Sequence, residues 1–466
     1  DWCISRQRSW GIPIPAFYCK KCGTPNFKGE FNKAVAAMVK KEGTDAWFVK
    51  EAADILPKGV KCVKCGAAEF EKETDIMDVW LESGASHFAV LKSDVQTFDW
   101  SADLYLEGSD QHRGWFQTSL LTAVSAFGKA PFKAVLTHGF TVDEKGKKMS
   151  KSLGNVVDPQ QVVKEYGADV LRLWVASTDF RNDMAVSKNI LKQINEGFTK
   201  IRNTCRFLLS NVNGFDPSKD RIEYEKLLDI DRYILMKFEL LLDKMRRSYD
   251  SFEFHAVYHS LYGFCVNDLS AFYLDVIKDR LYCDGSGSVS RRAAQTVCFE
   301  MLSGLIKAMA PILTFTAEDL YSYMEVPGKK TSVFLEKLPD KNQKYMDKTI
   351  EKVWDRVLQI RAEAYKKIEG LRASKEISKI SESDIEISCN KEDFSVLNSM
   401  AGQLPQIFMI SSVSVKQGQE FNIIARKTSN SKCERCWRYL PDVGSNNDHP
   451  TLCARCADVV KSKETL

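Results

Sequence analysis

From about residue 186 onward, apolar positions fall on helical spacing. Ile190, Ile194, Phe198, Ile201, Cys205 and Leu208 step by 4, 4, 3, 4 and 3, a stripe along one helix face. Similar patterns recur around 227–250, 253–281, 289–311 and 348–371, and turn-forming stretches such as 213–217 and 284–288 separate the earlier ones. This pattern predicts an α-helical bundle whose stripes are core. Ahead of it, 103–107 reads as a strand and 108–110 as a turn. A helix then carries Phe116, Leu120, Ala123, Val124 and Phe127 on one face, and Ala134-Val135-Leu136-Thr137 reads as a buried parallel strand. Together they make one right-handed β-α-β unit, with ligands expected beyond the strands' carboxyl ends. Residues 167–174 read as a further helix. Within 383–424 the apolar runs shorten to strand-like 385–388 and 406–410, suggesting a small α+β junction.

At 466 residues the chain exceeds one core, so three or more structural units are expected. A hydrophobic share of 44% and a charged share of 27% describe an ordinary globular composition. With a net charge of only +4, any nucleic-acid surface must be local. No apolar run approaches the ~18 residues of a membrane span, and no signal-peptide pattern opens the chain. It starts at Asp1, inside a motif-rich segment, as expected of a fragment of a longer protein.

Eight of the fourteen cysteines form four Cys-x-x-Cys pairs, and the other six are scattered singly. Scattered thiols fit a reducing, cytoplasmic compartment, and paired ones fit metal rather than disulfides. Cys19, Cys22, Cys62 and Cys65 lie in two pairs, each followed by glycine, with 39 residues between them. They read as one tetrahedral Zn2+ site or as two reduced thiol pairs in unrelated turns. Cys433, Cys436, Cys453 and Cys456, with sixteen residues between the pairs, have the spacing of a four-cysteine zinc ribbon. Four thiolates leave no open position for water, so both sites read as structural. Arg435, Trp437 and further basic residues surround the ribbon. Arginine and an aromatic on a rigid knuckle suit an unpaired base and its phosphates, although Trp437 could instead pack on the ribbon.

The stretch HGFTVDEKGKKMSKSLGN, residues 138–155, places four lysines between Lys145 and Lys151 on a glycine- and serine-rich loop after a strand. On charge alone this is a solvated basic loop; ammonium groups so placed also suit a polyphosphate whose charge shifts during nucleotidyl transfer. The rim at the strand ends collects Glu107, Gly108, Asp110, Gln111, His138 and Gly139. A carboxylate there can hold an α-ammonium or a ribose hydroxyl, and a glycine lets backbone approach a ligand. His112 reads as a polar helix-start residue. Arg181, Lys200, Arg246 and Arg247 are candidate phosphate contacts or part of a solvated face.

KMSKSLGN after HGF resembles the signature loop of class I aminoacyl-tRNA synthetases. LEGSDQHRGWF (106–116) is an almost literal match to the isoleucyl branch of that family. DVWLESG (78–84) resembles its DVWFDSG motif, with Leu81 and Glu82 as departures that leave a role for Glu82 in doubt. DWCISRQRSWGIPIP is similar to the segment returning from the inserted editing domain, and KCERCW (432–437) to the terminal zinc domain of bacterial-type members. The resemblance implies four parts. Residues 1–185 would be the α/β second half of a Rossmann-like catalytic domain, with a zinc-knuckle insertion at about 17–70. Then would follow an all-α anticodon-binding bundle at 186–375, an α+β junction at 376–425 and a zinc ribbon at 426–466.

It also implies ATP-dependent activation of L-isoleucine and transfer to tRNA(Ile), with Mg2+ accompanying ATP, by a monomer without membrane attachment. Lys151 would be the main ATP contact and Lys148 its assistant. Glu107 would contact the aminoacyl-adenylate, and Gly108, Asp110 and Gln111 its ribose and amino group. His138, beside Gly139, would approach the adenine or ribose. Trp80 and Trp115 would shape the side-chain pocket, Trp80 being equally readable as core. Arg435 and Trp437 would touch RNA. The family's His-x-Gly-His motif is absent from the six histidines, so the chain alone is expected to be inactive. Valyl or leucyl specificity is the near alternative, and a non-catalytic tRNA-binding paralogue the distant one.

Overall fold

The computed structural model describes residues 2–92, 100–326 and 328–464. It divides into two compact units: 2–140 with 181–183, and 141–180 with 184–464.

The first unit contains a three-stranded antiparallel sheet built from β1 (Phe17–Cys19), β2 (Pro25–Asn26) and β3 (Phe70–Lys72), with β1 in the middle. Helix α1 (Glu30–Glu42) packs with it through Phe31, Val35 and Met38, and Phe17, Trp47 and Phe70 complete a small aromatic core. That core is made by residues 17–70 alone. Helix α2 (Val79–Gly84) starts at Asp78, whose carboxylate accepts from the Trp80 amide at 2.9 Å and pairs with Arg6. Then come β4 (Ala102–Gly108), α3 (Trp115–Phe127) and β5 (Phe132–His138). Strands β4 and β5 pair in parallel with Gly108 opposite His138, so both strand ends lie on one rim, as the apolar pattern predicts. The strand Ala134–Thr137 is not buried as expected: Ala134 and Val135 are exposed and Leu136 and Thr137 half-buried, because among the described residues this sheet has only two strands; Leu106, Leu121 and Val124 are exposed too.

The second unit opens with β6 (Thr141–Val142), which pairs in parallel with β7 (Met184–Ala185). Between them run the lysine loop, α4 (Pro159–Tyr166) and α5 (Ala168–Ser177). The bundle follows as α6 (Lys188–Asn211), α7 (Asp229–Asp250), α8 (Phe254–Gly263), α9 (Leu274–Cys283), α10 (Val289–Met309), α11 (Thr314–Ser322) and α12 (Lys348–Ala373). The helix expected over 253–281 is present, but Phe264–Tyr273 between α8 and α9 is wound as π-helix. Its core holds one buried ion pair, Arg280 forking onto Asp231 at 2.9 and 2.7 Å while Tyr273 donates to the same carboxylate. Two arginine donors and a hydroxyl satisfy the carboxylate that burial would otherwise destabilise.

Strand β8 (Ser383–Cys389) then sits between β9 (Ser412–Gln417), parallel to it, and β10 (Asn422–Lys427), antiparallel to it. The expected strand over 406–410 is not one. Residues Leu404–Ile407 form a helical turn with Pro405 in its first turn, and Ile407, Phe408 and Ile410 are buried. A short apolar run buried at most of its positions has no period that separates strand from helix. The chain ends in a hairpin of β11 (Ser431–Lys432) and β12 (Tyr439–Leu440), and in α13 (Ala454–Glu464).

Candidate functional site

In the first unit the strand-end rim gathers most of the residues singled out there. A Cβ on Gly108 would lie 2.7 Å from Asp110 Oδ1 and 3.8 Å from His138 Cε1, so the three share one corner. Glu107, at the end of β4, is exposed. His138 Nδ1 lies 2.8 Å from the Gly139 carbonyl, and a Cβ on Gly139 would strike the backbone of Asn182 and Asp183. Gly139 is thus the residue that lets this returning segment pass; Asp183 also accepts from the Phe140 amide at 2.7 Å.

Gln111 and the tryptophans make a neighbouring group. Gln111 Oε1 accepts from the Trp115 amide at 2.9 Å, so its oxygen holds the start of α3. Trp115 stacks on Tyr105 at 4.2 Å and donates from its indole to the Ser83 carbonyl at 2.9 Å. Trp80, on the same helix as Ser83, is 36% exposed, and its ring edge lies 3.3 Å from where a Gly114 Cβ would be. Trp115 is therefore wedged between layers, and Trp80 is the more open of the pair.

In the second unit the lysine loop is a built structure. Val142 bridges Lys148, Gly146 takes a φ of 74° at the hairpin tip, and 151–153 wind into a 3-10 turn. Asp143 Oδ1 accepts from the amides of Lys145 and Lys147, both at 2.9 Å, and its Oδ2 from Asn155 Nδ2 at 2.9 Å. These donors, the Asn155 amide foremost, hold the Asp143 carboxyl below its ordinary pKa. Lys145, Lys147 and Lys148 are exposed; the side chain of Lys151 lies outside the described ones. Sequence reading passed over Asp143 and Asn155, because an acid beside lysines looks like charge balance and an asparagine after glycine like an ordinary turn.

Both sets of paired cysteines converge. In each, the four sulfurs lie within 4.8 Å of one another. In the insertion, Cys19 and Cys65 approach to 3.5 Å and Cys22 and Cys62 to 3.6 Å, close to the roughly 3.8 Å edges of a thiolate tetrahedron around Zn2+. Gly23 (φ 66°) and Gly66 (φ 72°) each follow the second cysteine of a pair, in the left-handed region the knuckle requires. The two pairs thus meet despite their 39-residue separation, because the insertion folds between them.

At the ribbon, Cys436 and Cys453 lie 4.0 Å apart, and the Cys453 amide donates to Cys433 Sγ at 3.4 Å. The position following Cys436 is again left-handed, but it is Trp437 (φ 62°), 70% exposed. Arg435 donates to the Cys283 carbonyl at 2.6 Å and to Cys456 Sγ at 3.4 Å, which ties the knuckle to the end of α9. Arg455 grips Asp279 at 2.6 and 2.8 Å and Asp284 at 2.9 Å, a fork that no spacing along the chain announces. A cavity of about 490 Å3 at this junction is lined by Tyr282, Met409, Arg435, Trp437, Arg438 and Tyr439. Elsewhere on the bundle, Arg246 donates to the Pro339 carbonyl, Arg247 pairs with Asp243 and Lys200 donates to the Tyr262 hydroxyl at 3.0 Å, so these three candidate phosphate contacts have intramolecular partners.

Three family models match the chain. The model for class I tRNA synthetases (I, L, M and V) covers residues 1–187, the anticodon-binding domain of tRNA ligase 231–387, and the zinc finger found in FPG and IleRS 430–459. Among curated relatives, an isoleucine–tRNA ligase from Carboxydothermus hydrogenoformans is 50% identical over 99% of this chain and 51% of that protein. One from Desulfitobacterium hafniense is 48% identical, with the same 99% and 51% shares. The chain therefore spans about half the length of the curated relatives it matches. A LeuRS–tRNA–LeuAMS complex from Agrobacterium radiobacter superposes with a TM-score of 0.53 at 19% identity, covering 87% of this chain and 48% of that one, a likeness of fold. Among the described residues no helix is long and apolar enough to cross a membrane. With matches to the class I tRNA synthetase, anticodon-binding and zinc-finger models following one another along it, and identity near 50% to the relatives over 99% of its length, the chain belongs to the class I aminoacyl-tRNA synthetases.

Proposed function

We propose that the protein containing this chain is an isoleucine–tRNA ligase. It activates L-isoleucine with ATP, accompanied by Mg2+, and transfers it to tRNA(Ile), as a cytoplasmic monomer. The observation that carries this reading is identity near 50% along essentially the whole chain to proteins of that name. Residues 1–185 serve as the second half of the catalytic domain, 186–375 as the anticodon-binding bundle, 376–425 as a junction and 426–466 as the tRNA-binding ribbon.

In the first step an isoleucine carboxylate oxygen attacks the α-phosphorus of ATP and pyrophosphate leaves. In the second, a terminal ribose hydroxyl of tRNA attacks the adenylate carbonyl and AMP leaves. Neither step needs a covalent enzyme intermediate, so positioning and charge neutralisation supply most of the rate. Lys151, assisted by Lys148, neutralises the departing pyrophosphate. Glu107 contacts the aminoacyl-adenylate, and Gly108, Asp110 and Gln111 hold its ribose and amino group, Gln111 through its amide nitrogen. His138 and Gly139 border the adenine and ribose, and Trp80 and Trp115 wall the side-chain pocket. The His-x-Gly-His motif is absent from the sequence, so the chain alone holds part of this machinery.

Zn2+ fits both cysteine sets, whose donors are four converging thiolates. There it supplies a crosslink and no reaction chemistry. Trp437 is the strongest candidate for RNA contact. A bulky residue in the left-handed region is strained by about 1–3 kcal/mol, and a largely exposed ring gains too little from packing to explain its place there. Stacking on an unpaired tRNA base would explain it. Arg435 would reach RNA only with the donors left after its bonds to Cys283 and Cys456.

The test of activation is ATP–pyrophosphate exchange by the full-length protein with isoleucine, valine and leucine, beside its Lys151→Ala variant. Isoleucine should drive exchange, and the variant should lose roughly 10²-fold, the cost of removing one preorganised charge contact. Exchange driven best by valine or leucine would reassign the amino acid, and exchange with none would leave a tRNA-binding paralogue.

A further inference from the structure

We propose that Asp143 and Asn155 are positioning residues that close the lysine loop into a ring of fixed shape, so that its ammonium groups meet a polyphosphate already arranged. The proposal rests on the synthetase reading above for its substrate, and on the loop's own hydrogen bonds for its geometry.

Asp143 is anchored at the start of the loop, where its amide donates to the Lys147 carbonyl at 2.9 Å. Its carboxylate gathers the Lys145 and Lys147 amides and so fixes the hairpin that carries three exposed lysines. Asn155, at the far end, does three things at once. Its Nδ2 donates to Asp143 Oδ2 at 2.9 Å and to the Lys148 carbonyl at 3.3 Å, and its Oδ1 accepts from the Ser150 amide at 2.9 Å. Ser150 Oγ in turn accepts from the Leu153 amide at 3.3 Å and lies 3.1 Å from Ser152 Oγ, capping the 3-10 turn on which Lys151 sits. Gly154, at φ 63°, reverses the chain so that Asn155 can face back across the ring.

Backbone groups on both sides of Met149 thus hang from one carboxylate–amide pair. A flexible lysine loop would lose conformational entropy each time it closed on a substrate. A loop held by two short side chains has already lost it. The arrangement also explains an acid among four lysines: its charge is engaged by N–H donors within the loop, and an aspartate can make this turn where a lysine could not.

The test uses the full-length protein with Asn155→Ala and Asp143→Ala, read by exchange kinetics and by amide hydrogen exchange. Asn155→Ala should lower kcat for isoleucine-dependent ATP–pyrophosphate exchange by about 10²-fold, the scale of a positioning loss, with the KM for isoleucine within about twofold. It should also speed exchange of the Ser150 amide by roughly fivefold or more, and Asp143→Ala should do so at Lys145 and Lys147. Unchanged kcat together with unchanged protection at these amides would overturn the proposal. If the unmodified protein activates no amino acid, the synthetase reading fails instead. The amide measurement then decides the ring alone, loss of protection upholding it and retained protection refuting it.

Discussion

Two four-cysteine clusters, with the same donors and nearly the same sulfur spacing, are built into the chain in opposite ways. The insertion at 17–72 surrounds its cluster with a hydrophobic core of its own, Phe17, Phe31, Val35, Met38, Trp47 and Phe70 among it, and supplies glycine at both knuckle turns. The terminal ribbon has almost no such core. Its buried cluster consists of Cys433, Cys453 and Cys456 together with Cys283 from the bundle. It leans on α9 through Arg435 and Arg455, and places a tryptophan where the insertion places glycine. The first cluster is a rivet in a fold that other forces also hold. The second supplies most of the ribbon's own buried core.

Metal removal should separate the two most sharply. Structural zinc contributes on the order of 10 kcal/mol to small metal domains, so chelation should strip hydrogen-exchange protection from 430–460. The helix Glu30–Glu42 should keep most of its own, since its aromatic core remains. Equal loss in both regions would erase the distinction. The docking arginine comes next. Arg455→Ala leaves Asp279 and Asp284, both largely buried, without their shared partner. It should cost about 1–3 kcal/mol, a charge-assisted fork at partial exposure, and should loosen the ribbon without releasing its metal. Protease sensitivity of the ribbon, read beside zinc content, checks this.

The smallest effect is the most telling about purpose. Gly23→Ala should destabilise the insertion by about 1 kcal/mol, because the space beside it is open and only the left-handed backbone resists. Trp437→Gly should leave the ribbon as stable or more so, and lower affinity for tRNA(Ile) about tenfold or more through lost stacking. A ribbon melted by Trp437→Gly would make the tryptophan a packing residue.

How far the sequence reveals this depends on the kind of force. The stripe from Ile190 to Leu208 was legible because burial on one face writes a period into the chain; the strand before His138 was legible only as an apolar run, and none of its residues is fully buried. The cysteine sets were legible because thiolate chemistry needs paired spacing. The run Gln406–Ile410 misled because three of its five residues are buried in an order that does not separate strand from helix. The Arg455–Asp279 fork, the Asp143–Asn155 ring and the helix-starting role of Gln111 join residues by hydrogen bonds that leave no spacing rule behind. Trp437 sits between. Its chemistry was visible, but the strain that sets it apart from Gly23 and Gly66 is a backbone angle.

The most direct measurement is charging of tRNA(Ile) by the full-length protein with labelled isoleucine, valine or leucine. Isoleucyl-tRNA should accumulate, the other two should give little stable product, and Lys151→Ala should slow the initial rate by roughly 10²-fold. A protein that binds tRNA(Ile) but forms no isoleucyl-tRNA, or that charges another amino acid in preference, would contradict it.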